Sequence, residues 1–376
     1  MSPFLKEGAS ERSRAAGAGA ATIARGLLAA NLAAQGFYGL AFLPRESFIE
    51  SLDAAAVPHT TRRAYDVDAA GSVAVVAFRY GSGEYPPPDW AVRCEPDGGA
   101  SLKIARFARA NWYQEISRRM GSAVAGAIAQ AGVQGIELPP SGRWHRLVNS
   151  RLPEKALALK SGLGWAGKNT IVIAAKTLEA MKFPDATKTP MAVAKGKEPD
   201  FSSAVLLGLL LCPVDMGSEP PKPMENRCGE CSRCVEACPT RALGQRCSDA
   251  GIKAEALSGQ ASGYDRQRCI QHWTAIAGDP PSIVRQAMRG ILYGCDICLE
   301  ACPYFIPDPD ATCGKGRLGS ALPAACFLET TDSGLRRNLS GSALDRAWMS
   351  MEAFRRNARL AIEPMPGDKA GGDAAD

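Results

Sequence analysis

Cys228-Gly-Glu-Cys231-Ser-Arg-Cys234-Val-Glu-Ala-Cys238-Pro239 is the stretch from which the rest of this chain is read. Its spacing is the bacterial C-x₂-C-x₂-C-x₃-C-P run. Two-residue gaps let one loop wrap three corners of an iron–sulfur cubane. The three-residue gap and the proline then turn the fourth cysteine toward a second cluster. Thiolates suit the task because iron in such clusters prefers soft sulfur ligands. A second run, Cys295-Asp-Ile-Cys298-Leu-Glu-Ala-Cys302-Pro303, supplies only three cysteines, so a module of two [4Fe-4S] clusters lacks one ligand. Cys269, in Asp265-Arg-Gln-Arg-Cys269, and Cys247 both stand as candidates for it. C-x₂-C pairs also bind zinc, but four cysteines in one run and two Cys-Pro pairs fit zinc poorly.

Outward from the cysteines, the chain has 376 residues, enough for two or three domains. It is 46% hydrophobic and 22% charged, the make-up of a globular protein rather than a disordered or fibrous one. A net charge of +5 is a mild surplus that solubility alone explains. The thirteen cysteines are not a secreted disulfide set, because seven of them fall into the two short runs. Cys94, Cys212, Cys313 and Cys326 read as small buried apolar residues. No run of about 18 apolar residues occurs, so no membrane span is expected. The Ala-rich stretch 15–34 is interrupted by Arg25, Asn31 and Gln35, which argues for an amphipathic helix and a cytoplasmic protein rather than a signal peptide.

Residues 1–14 read as a disordered tail, as does the Gly- and Asp-rich stretch 363–376. Ser72–Tyr80, Thr170–Ala174 and Ala204–Cys212 are apolar runs expected as buried strands. Ile104, Phe107, Ala108, Trp112, Ile116 and Met120 recur at helical spacing, predicting a helix over 101–130. Residues 15–217 are thus expected as an α/β domain. The polar stretch 181–200 is expected as a surface loop, and Ser218–Met224 as the linker into a ferredoxin-like domain over 218–312. Residues 313–376 are expected as a loop-like stretch, an amphipathic helix near 345–362 and the tail.

Beyond the cysteines, the chain resembles the epoxyqueuosine reductase family, cobalamin-dependent double-cluster enzymes related to reductive dehalogenases. The likeness runs from about Ser72 to Ile362. It is carried by Lys103-Ile-Ala-Arg-Phe-Ala-Arg109-Ala-Asn-Trp-Tyr113, by Glu154-Lys-Ala with Ser161-Gly-Leu-Gly-Trp165-Ala-Gly-Lys168-Asn169-Thr170, by Arg268-Cys269-Ile270, by Tyr293-Gly-Cys-Asp-Ile-Cys298 and by Phe354-Arg-Arg-Asn357. The resemblance implies a nitroreductase-like, cobalamin-binding α/β domain joined to the double-cluster domain. It implies one cluster on Cys228, Cys231, Cys234 and Cys302, and another on Cys238, Cys269, Cys295 and Cys298. It also makes Trp165, Gly167, Lys168 and Asn169 cofactor-facing; without it, the glycines read as a tight turn before a strand. The implied activity is reduction of epoxyqueuosine in tRNA, or of a related substrate, with electrons from an external donor.

The likeness fails at one place that matters. The family carries an acidic proton donor upstream of the glycine-rich loop, where this chain reads Leu147-Val148-Asn149-Ser150. An amide is no general acid near neutral pH. His145 and Tyr113 are the candidates left for that role, with Tyr80 behind them. The arginines of 103–119 and of Phe354-Arg-Arg could meet phosphates, or could simply be solvated. The stretch 246–262 reads as an inserted loop. A cobalamin-free electron carrier serving a larger redox complex is the competing function, since the cysteines alone fit it equally well.

Overall fold

The structure is a computed structural model that describes residues 4–363 apart from 82, 95–98, 179–200, 218–221 and 245–262, with side chains from residue 19. The expected surface loop 181–200, the inserted loop 246–262 with Cys247, the start of the linker and the tail 364–376 lie outside the described residues.

In chain order the strands are β1 (Gly39–Pro44), β2 (Ser72–Arg79), β3 (Ser101–Ile104), β4 (His145–Val148), β5 (Gly164–Ala166), β6 (Val172–Ala175), β7 (Phe201–Ser202), β8 (Val205–Cys212), β9 (Ile291–Tyr293) and β10 (Ala321–Pro323). The main sheet has the order β1-β2-β8-β4, all antiparallel. β2 is buried on both faces, which is why it reads as a continuous apolar run rather than an alternating one. Ala74, Val76 and Phe78 point to one core with Leu28, Leu32, Trp112 and Met120, from the helices Phe4–Ala34 and Trp112–Val133. Val73, Val75 and Ala77 point to the other, with Phe48, Leu52 and Leu157 from the helices Arg45–Ala54 and Glu154–Lys160. Helices cover both faces of the sheet, and each fully buried Val or Phe contributes about 1.5–3 kcal/mol.

Three expectations are corrected. Residues 4–14 are not a tail but the first turns of the helix Phe4–Ala34. The stretch is rich in Ala, Glu, Lys and Arg, all good helix formers. The helix predicted from 101 starts only at Trp112, where the Asn111 side chain accepts from Gln114 N–H as its cap. Before it lies β3, whose Leu102 and Ile104 alternate with exposed Ser101 and Lys103. The stretch after Cys302 is not merely loop-like: β10 and the helices Ala324–Glu329 and Asp332–Leu339 precede the expected helix, observed at Met351–Ile362.

These C-terminal elements unite the two halves of the molecule. β10 pairs antiparallel with β3, and β3 pairs parallel with β9, just before Cys295. Leu102, Tyr293, Leu322, Phe327 and Phe354 form one core from the three segments. Fully buried Asn357 locks it, donating to Thr274 O (3.0 Å) and Leu292 O (2.8 Å). Replacing Asn357 with Ala leaves both carbonyls short of a donor. That variant is expected to lose about 1–3 kcal/mol in denaturant unfolding of the cluster-loaded protein; a loss under about 0.5 kcal/mol would contradict the role.

Candidate functional site

The cysteines gather into the two crossed sets. Cys228, Cys231, Cys234 and Cys302 surround a cavity of about 270 Å³. Cys238, Cys269, Cys295 and Cys298 line a second cavity of about 340 Å³. The short helices Arg233–Glu236 and Ile297–Glu300 carry the x₃-C-P ends of the two runs, and each sends its last cysteine to the other set. The sets adjoin, since Cys298 also feels the charge of Cys234. Cys94, Cys212, Cys313 and Cys326 stay outside both; the last three are fully buried, as small apolar residues would be.

The chemistry of each donor set suits a cluster. Burial and the neighbouring thiolates push the Cys234 thiol up to about 11 and the Cys295 thiol up to about 12. Thiolates crowded in this way repel one another unless cations sit among them. Among the described residues no three Cys, His, Asp or Glu converge on a single ion; the cysteines instead surround a volume. Trp165 supplies a further match: it packs beside Cys228 and Cys302, and its buried Nε1 has no protein partner.

The glycine-rich loop lies between the α/β part and the first cysteine set. Gly162 (φ 73°) would drive a Cβ to 2.4 Å from Lys222 O, and at Gly164 a Cβ would stand 2.0 Å from Ile173 O. The glycines therefore serve close backbone approach within the protein. Lys168 Nζ donates to Gly229 O (2.8 Å) and Asn169 Nδ2 to Cys298 O (3.3 Å), tying the loop to both cysteine runs. Gly167 and Lys168 line the smaller cavity, and Trp165 packs in the aromatic group beside it. Of the four residues expected to face a cofactor, Asn169 alone reaches the larger cavity.

The larger cavity lies at the seam of the two halves. Val172, Val205, Leu206 and Leu207 form one wall and Ile297, Leu299 and Ile270 another, with polar groups confined to a few positions. Tyr113 lies in the wall, its phenol pushed up by burial, with Arg346 stacked 4.9 Å from its ring centre. Tyr80, at the end of β2, is likewise raised by burial. His145 does not reach the cavity: it sits at the start of β4 with Nε2 3.5 Å from Asp66. Strand pairing opposite Leu211 carries it away from the seam.

Glu154 is the site residue that motif reading overlooked as chemistry. Its carboxyl lines the cavity at the start of the helix Glu154–Lys160, with Oε1 accepting from Ser150 N–H (2.7 Å). Burial pushes the group up to about 7, against the opposing hydrogen bonds from Ser150 and Asn149. Asn149 lines the same wall with a left-handed backbone (φ 54°). Lys155 is lowered by burial, and its Nζ donates to Thr170 O (3.1 Å).

The arginines considered for phosphate contact are engaged within the chain. Arg355 donates to Phe327 O and Thr330 O, both at 2.6 Å, and Arg356 to Ile276 O (3.0 Å) and Gly278 O (2.6 Å). Arg106 pairs with Glu300 (3.1 Å), and Arg118 and Arg119 both pair with Glu115 at 2.7 Å.

Comparison with known proteins agrees with this architecture. A family model for a 4Fe-4S double cluster binding domain matches residues 227–304, so the chain carries a domain for two such clusters. An epoxyqueuosine reductase of Vibrio cholerae is 26% identical over 79% of this chain and 67% of its own length. One from Synechococcus sp. strain CC9605 is 28% identical over 80% and 76%. One from Lactococcus garvieae is 28% identical over 55% of this chain, a match that spans only 49% of that relative. The solved epoxyqueuosine reductase of Streptococcus thermophilus shares the fold, with a TM-score of 0.56 at 19% identity, covering 87% of this chain and 78% of that one. An epoxyqueuosine reductase solved with an epoxyqueuosine-modified tRNA stem loop superposes at 0.55, with 18% identity, over 88% and 78%. The chain is similar in sequence and in fold to the epoxyqueuosine reductases, at 26–28% identity to the sequence relatives named above.

Proposed function

We propose that this chain is an iron–sulfur oxidoreductase that reduces epoxyqueuosine in tRNA, or a closely related epoxide, inside the larger cavity. Cys228, Cys231, Cys234 and Cys302 would hold one [4Fe-4S] cluster and Cys238, Cys269, Cys295 and Cys298 the other, and when bound the pair would supply a relay for single electrons from an external donor. The observation that carries this reading is the shared wall: the second cysteine set lines the same cavity as Glu154 and Tyr113, so an electron source and proton-bearing groups face one space. An electron carrier alone has no need of such a chamber. The nitroreductase-like character of the α/β half and a cytoplasmic location belong to the same reading. No helix among the described residues is long and apolar enough to cross a membrane.

Cobalamin fits the cavity's lining. Val172, Val205, Leu206 and Leu207 give the lining apolar surface suited to a corrin, and Asn149, Thr170 and Tyr264 add polar groups. When bound, cobalamin would supply a strongly reducing metal centre. The chain's own residues would enclose the substrate in the remainder of the cavity and carry protons to it. Lys155, held against Thr170 O, places a positive charge near Cys269 and Cys298.

Anaerobic reconstitution with iron, sulfide and cobalamin tests the proposal. The protein is expected to retain about eight iron atoms, the content of two four-iron clusters, together with cobalt. With a chemical reductant it is expected to convert an epoxyqueuosine-bearing stem loop. Full iron without cobalt would leave a cobalamin-free electron carrier, and loaded protein inert toward the stem loop would remove the substrate. Cys269→Ser is expected to lower iron to about four atoms per chain and abolish turnover. Full iron retention in that variant would exclude Cys269 as the eighth ligand.

A further inference from the structure

We propose that Glu154 donates the proton that accompanies substrate reduction in the larger cavity, an inference that rests on the reductase reading and deepens it. Among the described residues that line the cavity, Glu154 is the one carboxyl. It is held in place rather than swinging free, because Ser150 N–H donates to Oε1 at 2.7 Å. Further hydrogen bonds from Ser150 and Asn149 fix the carboxyl at the cavity wall. The other groups on the wall are poorly suited. Burial keeps the phenols of Tyr80, Tyr113 and Tyr264 above their ordinary range, so they hold their protons too tightly. Lys155 spends a donor on Thr170 O, and the amide of Asn149 has no acidic proton.

The groups facing Glu154 come from several elements. Tyr80 ends β2, Tyr113 comes from the helix Trp112–Val133 and is influenced by Glu154, and Arg346 and Tyr293 stand behind Tyr113. Lys155 follows on its own helix, while Tyr264 and the cysteines of the second set close the far side. Burial in this company pushes the carboxyl up to about 7, so near neutral pH it is present in both protonation states. Proton transfer is most effective from such an acid.

Reductive removal of an epoxide oxygen consumes two electrons and two protons, breaks both carbon–oxygen bonds, leaves a carbon–carbon double bond and releases water. The electrons arrive singly through the clusters from the external donor. Glu154 gives one proton to the oxygen as the first carbon–oxygen bond breaks, and water at the cavity mouth restores it. The second proton then allows the oxygen to leave as water.

Glu154→Gln in the full, cluster-loaded chain tests the role, since Gln keeps an acceptor for Ser150 N–H. Single-turnover reduction of an epoxyqueuosine stem loop is expected to slow by about 10²–10⁴-fold. Bleaching of the clusters by dithionite should be unchanged. Wild-type turnover is expected to fall by about tenfold per pH unit above about 7, and the variant to lose that dependence. Glu154→Asp should keep the fall-off at a reduced rate. Infrared spectroscopy supplies a readout apart from activity: a protonated-carboxyl band that titrates near pH 7 in the wild type and is absent in Glu154→Gln. Wild-type turnover with an unimpaired Gln variant, or no such band, would overturn the donor role alone. A wild-type protein that takes up electrons yet leaves the epoxide intact would overturn the reductase reading, and the donor role with it.

Discussion

The crossing of Cys238 and Cys302 is the constraint from which the architecture follows. Each cysteine ends one run and faces the set formed by the other, so neither cysteine set is complete without a residue of the other run. That exchange brings the short helices Arg233–Glu236 and Ile297–Glu300 together and places the two sets side by side. Two separate loops would each have enclosed one cluster with no fixed distance between them. A crossed pair sets that distance by covalent geometry, and electron transfer between clusters needs a short, constant one.

The α/β half is shaped to receive this module. Its main sheet is buried on both faces, which makes it a rigid wall rather than a flexible flap. The small sheet of β5, β6 and β7 brings Trp165 and Phe201 against Cys228, Cys302 and Tyr304. β3 reaches across to β9, so the segment before Cys295 is hydrogen-bonded into the same framework. The cavity is what remains between these rigid surfaces. Because most of its lining surface is apolar, an ionisable group on its wall is displaced from its solution behaviour, as Glu154 and Lys155 are in opposite directions.

The parts of this arrangement that were legible in the sequence are those set by local spacing. The x₂, x₂, x₃ gaps announce cluster loops, and β2 and β8 are read correctly because a strand buried on both faces is a short apolar run. β3 was masked because Ile104, Phe107 and Ala108 happen to keep helical intervals beside a true helix. Its strand character comes from pairing with residues near 291 and 321, which no local window contains. The glycine-rich loop was seen, and the close backbone approach of Gly162 to Lys222 and of Gly164 to Ile173 accounts for two of its glycines. Glu154 stood in the sequence only as part of the Glu154-Lys-Ala segment that carries the resemblance, with no chemistry attached to it. Its burial in a cavity lined by residues from distant segments such as Tyr80 and Tyr264 is what makes it a raised acid.

Electron paramagnetic resonance of the dithionite-reduced, cluster-loaded protein tests the central claim most directly, because it reads the number of clusters and the distance between them at once. The crossed arrangement predicts two reduced clusters per chain whose signals are broadened and split by mutual spin coupling, with Cys269→Ser collapsing the spectrum to one simple signal. Two sharp, independent signals, or a single cluster in the intact chain, would contradict it.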